Sequence, residues 1–291
     1  MRIITCQVNS GAGCSVWQYL KGCHGCSRRF LNRLKQGRGS LFLGGAPVES
    51  VARTLVREGD TLSLVLEEET VDFIPNAALS APVVYEDEDL VVFNKPPGMP
   101  VHPSHRHLED TLANLFAARC LEQGETAGFH PINRLDRDTS GLCVVAKHAL
   151  AAAALSGEVE KVYYAVAEGN VAPSDGFIKQ PIARAGESII LRRVSPDGKP
   201  ASTHYRVLFR QNGHNLLAVR LQTGRTHQIR VHFAFLGHPL AGDDLYGGTR
   251  GWITRQALHC GLVRFIHPVT GERVCLKAHL PPDMTAVLRI Q

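Results

Sequence analysis

A short segment in the middle of the chain places a carboxylate between two arginines. It reads Asn133-Arg134-Leu135-Asp136-Arg137-Asp138-Thr139-Ser140-Gly141 and runs directly into an apolar stretch. The residues from Asp138 to Gly141 are typical of a turn, in which side chains bond the local backbone and glycine adopts a positive φ. A turn does not require Asp136 between Arg134 and Arg137, however, and neighbouring cations favour the ionised form of a carboxylate. We therefore expect Asp136 to act as a nucleophile or as a general base.

A second segment combines basic residues with the start of a predicted helix. It reads Thr223-Gly224-Arg225-Thr226-His227-Gln228-Ile229-Arg230-Val231-His232. Thr226 can cap the helix, which places Arg225 and His227 near its positive end, where anions bind. Arg230 follows His227 by about one turn and faces the same side. An exposed basic helix start would explain the charges but not His227 beside Gln228, so we expect an anion-binding site.

Basic residues are concentrated in two stretches that contain no acidic residue. The chain has 32 Lys and Arg against 27 Asp and Glu, a formal net charge of +5. No acidic residue precedes Glu49 or lies between Gly198 and Gly242. A solvated surface usually mixes acids among its bases, so both stretches indicate contact with a polyanion, and nucleic acid is the favoured partner. The first stretch supplies the candidate RNA-binding residues Arg28, Arg29 and Arg33.

The composition is that of a globular protein that buries a core. The 291 residues suffice for about two domains, and 44% hydrophobic with 20% charged residues argues against disorder, collagen and coiled coil. No stretch approaches the ~20 apolar residues of a membrane span, and Met1 to Ser10 lacks the layout of a signal peptide. Eight cysteines are too sparse for a disulfide scaffold. We therefore expect a cytoplasmic protein without a membrane segment.

The chain contains neither a nucleophile elbow, nor a phosphate-binding loop, nor a zinc protease motif. Four cysteines near the amino terminus, Cys6, Cys14, Cys23 and Cys26, could in principle bind zinc. Their spacing is irregular and no second C-x-x-C follows, so they equally suit small thiols packed in an apolar unit. We expect no metal and no cofactor, and the sequence leaves open whether these thiols ever bind a metal.

The hydrophobic pattern divides the chain into residues 1–75 and residues 76–291. The first part reads as a small α+β unit, with a helix capped by Ser27 and an alternating strand over Thr61–Leu66. Strands predominate in the second part, which ends in a hairpin with its turn at Pro268–Gly271. The order of elements predicts an α+β fold with a mixed, mainly antiparallel sheet rather than an alternating βα barrel.

Four segments resemble, in order, the motifs of RluA-type pseudouridine synthases. They are Asn94–Gly98 with His102-Pro103, Asn133–Leu142, Lys161–Gly169, and Gly224–His232 with Leu236–Asp243 and Tyr246-Gly247. These motifs lie within about two thirds of the chain, and Asn133 stands where the family commonly has His. Residues 15–66 resemble more loosely the alpha-L RNA-binding module, with Gly44-Gly45 at the position of its typical Asn-Gly turn.

The resemblance implies metal-free isomerisation of uridine in RNA, in the central cleft of a mixed, mostly antiparallel sheet. It assigns cleavage of the N1–C1′ bond to Asp136, stacking on the base or proton acceptance to Tyr163, and the basic partner of the carboxylate to Arg230. Whether Asp136 adds to C1′ or acts as a base toward the ribose stays open. The residues expected to bind RNA are Arg134, Arg225 and His227, together with Arg28, Arg29 and Arg33.

The expected substrate is large-subunit ribosomal RNA, with transfer RNA as the alternative and the modified positions left open. A non-catalytic RNA-binding or ribosome-assembly factor would tolerate loss of Asp136, which is present. A glycosidase or nucleosidase normally uses a pair of carboxylates, and Asp136 and Asp138 on one turn are poorly placed for that. We expect a monomer, although the sequence does not determine the oligomeric state.

Overall fold

The computed structural model describes residues 2–9, 13–23, 26, 28–35, 40–66, 69–186, 188 and 190–288. The side chains of Cys23, Arg29, Phe30, Arg33 and Ser40 lie outside the described part, as do Ser27 and its predicted cap. The helices are α1 (Val16–Cys23), α2 (Arg28–Lys35), α3 (Leu112–Gln123), α4 (Ala149–Leu155), α5 (Gln228–Phe235) and α6 (Pro282–Leu288), with a 3-10 turn at Asp244–Tyr246. Among the described helices, none combines the length and apolar character needed to cross a bilayer.

The strands run through the whole chain and form two main sheets and a short hairpin. They are β1 (Ile3–Gln7), β2 (Ser40–Leu43), β3 (Ala46–Pro47), β4 (Thr61–Val65), β5 (Val83–Glu86), β6 (Leu90–Lys95), β7 (His130–Pro131), β8 (Ser140–Ala146), β9 (Glu160–Glu168), β10 (Asp175–Ile178), β11 (Ile182–Arg184), β12 (Arg192–Val194), β13 (Thr203–Gln211), β14 (His214–Leu221), β15 (Leu258–Ile266) and β16 (Arg273–Lys277). β11 and β12 pair only with each other, within the described residues, and form the hairpin.

The amino-terminal sheet has the strand order β1-β4-β2-β3 and is antiparallel throughout. α2 packs its apolar side toward this unit, because Leu31 and Leu34 are buried while Arg28 and Lys35 are exposed. Buried side chains from the sheet, α1 and α2 form one cluster, which Leu150 of α4 joins from the other side. The unit is therefore anchored on α4, and its basic helix carries charge on the outer side.

The large sheet has the strand order β10-β13-β14-β9-β15-β8-β6-β5, with β16 added to β15 and β7 to β8. Its pairs are antiparallel except for β15 and β8, which run parallel. The fold is thus α+β with a mixed, mainly antiparallel sheet, as predicted. β8 and β9 lie in the interior of this sheet. The segment that contains Asp136 directly precedes β8, and Tyr163 lies on β9.

Gly141 determines how closely β8 approaches β15. Its φ is +108°, and a Cβ there would lie 2.3 Å from the carbonyl oxygen of Cys260. Any side chain would separate the two strands, so the predicted glycine requirement has a second cause beyond the turn. The close approach fixes the end of the Asp136 segment against the central strands.

Candidate active site

One pocket of about 60 Å3 brings together residues from both chemical motifs. It opens between the segment before β8, the strand β9 and the start of α5. Its lining includes the predicted catalytic residues Asp136, Tyr163 and Arg230 and the predicted RNA-binding residues Arg134, Arg225 and His227. Arg28, the arginine of α2 whose side chain the structure describes, does not line this pocket.

Arg230 connects the Asp136 carboxylate of this pocket with the carboxylate of Asp243, which does not line it. Its Nη1 donates to Asp136 Oδ2 at 3.2 Å, while Nε and Nη2 donate to the two oxygens of Asp243 at 2.7 and 2.8 Å. Burial alone would lower the pKa of Arg230, but the hydrogen bonds and charges of Asp243 and Asp136 raise it above the ordinary value. Arg230 is therefore a permanent buried cation that orients the Asp136 carboxylate by a charge-assisted hydrogen bond.

The cation beside Asp136 is not one of its neighbours in sequence, which corrects that part of the prediction. Arg137 turns away and forms two hydrogen bonds with Asp138, at 3.0 and 2.8 Å. Arg134 is exposed at the rim of the pocket. The backbone turns after Asp136, whose carbonyl oxygen accepts from the N–H of Thr139 at 3.1 Å, so proximity in sequence did not become contact in space.

The backbone of the Asp136 segment is anchored on both sides. Asn133 donates to the carbonyl of Leu142 and accepts from the N–H of Val144, each at 2.9 Å, so its amide imitates a paired peptide group. Lys95 is fully buried, and its ammonium donates to three carbonyl oxygens, one of them that of Arg137 at 2.9 Å. Burial lowers the pKa of Lys95 to about 8. These contacts hold the carboxylate where Arg230 reaches it.

The start of α5 differs from the prediction. The helix begins at Gln228, its N-cap residue is His227, and Thr226 does not cap it. Gln228 is buried, and its side-chain oxygen Oε1 bridges two residues of the preceding turn. It accepts from Thr223 Oγ1 at 2.9 Å and from the N–H of Arg225 at 3.0 Å. The buried amide outcompetes a threonine cap because it satisfies two donors at once.

His227 faces the Asp136 carboxylate from the helix start. Its Nε2 lies 3.8 Å from Asp136 Oδ2, and its Nδ1 lies 2.8 Å from the hydroxyl of Tyr246. The Tyr246 ring also lies beneath the guanidinium of Arg230, 5.0 Å from its centre. His227 and Arg230 thus face the same oxygen of Asp136, and Tyr246 packs against both of them.

Tyr163 lies on β9 and is buried, with its side chain on the pocket side of the sheet. Burial, together with the nearby Cys260 and Asp136, raises the pKa of Tyr163 well above that of a free phenol. The phenol is therefore neutral at physiological pH. A neutral ring in this position suits stacking better than proton acceptance.

A basic cleft of about 480 Å3 adjoins the pocket. Arg134 and Arg225 line both cavities and form the boundary between them. The β11–β12 hairpin and the turn after it add Arg184, Arg192 and Lys199, while Asp197 is the acidic residue in the lining. The sequence reading missed this contribution because the hairpin is too short to give an alternating pattern.

The predicted amino-terminal bases lie on α2, where Arg28 is exposed. The side chains of Arg29 and Arg33 lie outside the described residues. Lys35, at the end of the same helix, packs its ammonium 4.3 Å from the ring centre of Trp17.

Of the four cysteines weighed as zinc ligands, Cys26 is buried and Cys6 and Cys14 are partly buried. Burial raises the pKa of Cys26 to about 12, so its thiol is protonated at neutral pH in the metal-free protein. Among the described side chains, the one group arranged to hold a cation is Asp87, Asp89 and His267. Asp89 is already paired with Arg2 at 3.0 Å, and Asp87 with His267 at 2.9 Å.

A family model for RNA pseudouridylate synthases matches residues 89–235. YjbO, an uncharacterized RNA pseudouridine synthase of Bacillus subtilis (strain 168), is 42% identical over 274 residues, which cover 91% of this chain and 95% of the relative. The chain belongs to the RNA pseudouridylate synthase family. Another relative of this pseudouridine synthase is the ribosomal large subunit pseudouridine synthase D of Vibrio parahaemolyticus, 38% identical over 81% of this chain and 78% of the relative.

The architecture of this synthase agrees with that membership. The solved structure of human RNA pseudouridylate synthase domain containing 1 is similar with a TM-score of 0.56 and 27% sequence identity, covering 72% of this chain and 88% of that chain. The predicted family, fold class and reaction type are therefore confirmed: this chain is an RNA pseudouridine synthase, an isomerase that acts on RNA.

Three residues of the site were not singled out from the sequence. Asp243 lies in a quoted motif, but nothing in its type or spacing identifies Arg230 as its partner. Lys95 follows an apolar strand and resembles a surface lysine until its burial is known. Tyr246 follows a turn and contacts the site through tertiary folding alone. Residues that are buried because of their hydrogen bonds form no periodic pattern along the chain, so the sequence alone does not predict them.

Proposed function

We propose that this synthase isomerises uridines in large-subunit ribosomal RNA, as a cytoplasmic monomer, and that Asp136 initiates cleavage of the glycosidic bond. The observation that carries the proposal is the hydrogen bond between Asp136 and the buried Arg230, inside a pocket that Tyr163 also lines. A partly exposed carboxylate with a fixed direction and one oxygen engaged by a cation is suited to act on a ribose that enters from solvent.

The reaction breaks the N1–C1′ bond and forms a C5–C1′ bond on the same ribose. The uracil rotates between the two steps, C5 loses its proton and N1 gains one, so the product has the mass and charge of the substrate. Within the described residues, no hydrogen bond or ion pair reaches the second oxygen of Asp136, Oδ1. We assign to Oδ1 the contact with the ribose, either as a nucleophile at C1′ or as a base.

Tyr163 is the proposed stacking platform for the uracil. Its raised pKa keeps the phenol neutral, and a neutral aromatic ring stacks on a base whichever face the base presents after rotation. Stacking would hold the detached uracil against Asp136 while C5 replaces N1 at the sugar.

The remaining bases are assigned to RNA binding. Arg134, Arg225 and His227 line the pocket that a flipped uridine would enter, and the exposed Arg134 and Arg225 lead from it into the basic cleft. Flipping costs a few kcal/mol, less in loops, and the basic cleft offers phosphate contacts to offset that cost.

We further propose that residues 1–75 form an alpha-L-like RNA-binding module and residues 76–291 the catalytic domain. Each of the two main sheets has its own cluster of buried apolar side chains, which supports this division. The module would add affinity through Arg28, Arg29 and Arg33 without touching the reacting nucleotide.

Mapping of pseudouridines tests the target. Total RNA from cells with and without the gene is compared by chemical mapping, and purified protein is then added to RNA from the deletion strain. We expect the missing sites to lie in large-subunit ribosomal RNA and to be restored by the protein. Sites in transfer RNA would select the alternative substrate. No lost site in any RNA would contradict the proposal and favour a binding factor.

The product separates isomerisation from hydrolysis. A hydrolase would release free uracil and leave an abasic ribose, whereas an isomerase leaves the mass of the RNA fragment unchanged. Mass spectrometry of one fragment before and after reaction therefore excludes one of the two.

A further inference from the structure

His227 has a backbone conformation that is uncommon for a residue other than glycine. Its φ of 56° and ψ of 21° lie in the left-handed region, which costs a residue with a side chain about 1 kcal/mol or more. The position is the N-cap of α5, yet the side chain makes no capping hydrogen bond. Instead the ring lines the active-site pocket, with Nε2 3.8 Å from Asp136 Oδ2. The strained turn therefore directs the imidazole toward the carboxylate rather than toward the helix.

The hydroxyl of Tyr246 fixes which ring nitrogen carries the proton. The backbone N–H of Arg192 donates to this hydroxyl at 3.1 Å, and His227 Nδ1 lies 2.8 Å from it. Within the described residues, no other acceptor lies within hydrogen-bonding distance of the hydroxyl proton. In the arrangement that uses the hydroxyl proton within the protein, the oxygen accepts from Arg192 and the O–H donates to Nδ1, so the single proton of a neutral imidazole lies on Nε2.

Burial of the ring favours its neutral form. Burial lowers the pKa of His227, and the cations Arg230 and Arg192 lower it further, against the opposing effects of Asp136 and Asp243. A neutral ring with its proton on Nε2 presents an N–H group to Asp136 and adds no charge to the site.

We propose that His227 is a positioning residue for Asp136, with Tyr246 fixing its tautomer. Its Nε2–H addresses Oδ2, the oxygen that Arg230 already binds, so both donors hold one side of the carboxylate and leave Oδ1 for the ribose. The separation of 3.8 Å exceeds a hydrogen bond; the contact closes when bound RNA fills the pocket, as catalytic hydrogen bonds often do. The inference rests on the proposed role of Asp136.

Nitrogen NMR of the imidazoles tests the tautomer without RNA. Protein with 15N-labelled histidine is compared with His227→Gln, which identifies the signal by its disappearance, and with Tyr246→Phe. We expect an unprotonated Nδ1 and a protonated Nε2 in the wild type at neutral pH, and a mixture of tautomers in Tyr246→Phe. A proton on Nδ1 of the wild type, alone or with one on Nε2, would overturn the assignment of Tyr246.

A pair of substitutions tests the role of the donor. His227→Leu and His227→Gln place a non-glycine side chain in the same strained backbone, but glutamine alone retains an N–H that reaches the position of Nε2. We expect leucine to lower the single-turnover rate at saturating RNA by about tenfold, the value of one hydrogen bond. The contact that His227 offers to the flipped uridine is one among many contacts to the RNA, so affinity should change much less than the rate, and glutamine should restore most of the rate.

The control is His204→Gln, a histidine paired with Asp175 on the face of the sheet away from Tyr205 and the core. It should react as the wild type does. Equal rates for the leucine and glutamine variants, at equal thermal stability, would overturn the positioning role. If the wild type forms no pseudouridine, the proposed function is contradicted instead. The NMR experiment uses no RNA, so its result does not depend on either of these outcomes.

Discussion

Two hydrogen bonds of 2.7 and 2.8 Å hold Arg230 to Asp243, whereas one of 3.2 Å joins it to Asp136. Asp243 is 1% exposed and its two oxygens match the fork of the guanidinium. Asp243 therefore fixes the position of the Arg230 guanidinium, and this position determines how Arg230 contacts Asp136. The catalytic carboxylate depends on a residue that does not line the pocket.

Asp243→Asn should slow catalysis without preventing RNA binding. The amide has one acceptor instead of two, so the Arg230 guanidinium tilts and its Nη1 leaves Oδ2 of Asp136. A displacement of this kind costs about 10²-fold in rate. The rate at saturating RNA is measured in single turnover, below the unfolding midpoint of the variant. Asp244→Asn, which loses only a surface ion pair with Arg250, is the matched control. A normal rate in Asp243→Asn would mean that Arg230 needs no second anchor.

Asp136→Asn should bind RNA and form no pseudouridine. The amide retains the size of the carboxylate but provides neither a nucleophile nor a base, so the rate should fall on the order of 10³-fold or more. Affinity is measured by titration and product by mapping on the same RNA fragment. Asp138→Asn is the control, since Asp138 pairs with Arg137 and does not line the pocket. Clear turnover by Asp136→Asn, or equal loss in both variants, would remove Asp136 from its proposed role.

The sequence predicted the residues that line the active site better than the buried residues that hold them in position. Asp136 stands out by its position between two arginines, Tyr163 and the partner role of Arg230 follow from the family resemblance, and the structure brings all three to one pocket. The supports Asp243 and Lys95 could not be found in this way. Their roles come from burial and from partners that the chain brings near only after folding.

The same limit applies to the secondary structure. A run of apolar residues needs little context: Leu142–Ala146 predicts a buried strand from its residue types, and β8 begins only two residues earlier. β10, β11 and β12 were missed because they are short, and β10 carries an exposed Phe177. The hairpin of β11 and β12 adds Arg184 and Arg192 to the basic cleft, so part of the proposed RNA surface was missed with it.

His259 should make the protein less stable in weak acid. Burial lowers its pKa to about 4, from 6.5 for a free imidazole, and its Nδ1 lies 2.9 Å from Ser140 Oγ, between β15 and β8. Above pH 6.5 the ring is neutral in both the folded and the unfolded protein, so its titration does not change the free energy of unfolding. Between pH 6.5 and 4 the unfolded chain binds a proton that the folded chain does not, so up to about 3 kcal/mol of stability is lost.

Chemical denaturation at a series of pH values measures this loss. His259→Gln should flatten the dependence of the unfolding free energy on pH between 4 and 6.5, whatever its stability at neutral pH. The same substitution at the exposed His105 controls for the removal of a histidine. An unchanged slope in His259→Gln would show that other groups cause the acid sensitivity.

The two basic regions should separate affinity from rate. If Arg28, Arg29 and Arg33 contact phosphates, their replacement by glutamine should flatten the salt dependence of RNA binding by about two units, from a slope of roughly −0.7 per phosphate neutralised on single strands. The rate at saturating RNA should barely change, because these residues belong to α2, and no element of the amino-terminal unit contributes a described residue to the lining of the pocket.

Arg230→Lys should behave in the opposite way. Lysine keeps the positive charge between Asp243 and Asp136 but cannot form both pairs of hydrogen bonds, so the single-turnover rate should fall while the salt slope stays as in the wild type. Lysine is preferred to alanine here, because alanine would leave two carboxylates of the site facing each other without a cation. Both quantities are measured for both variants on one RNA fragment. A rate loss in the α2 variant together with a flattened salt slope in Arg230→Lys would reverse the proposed division between binding and catalysis.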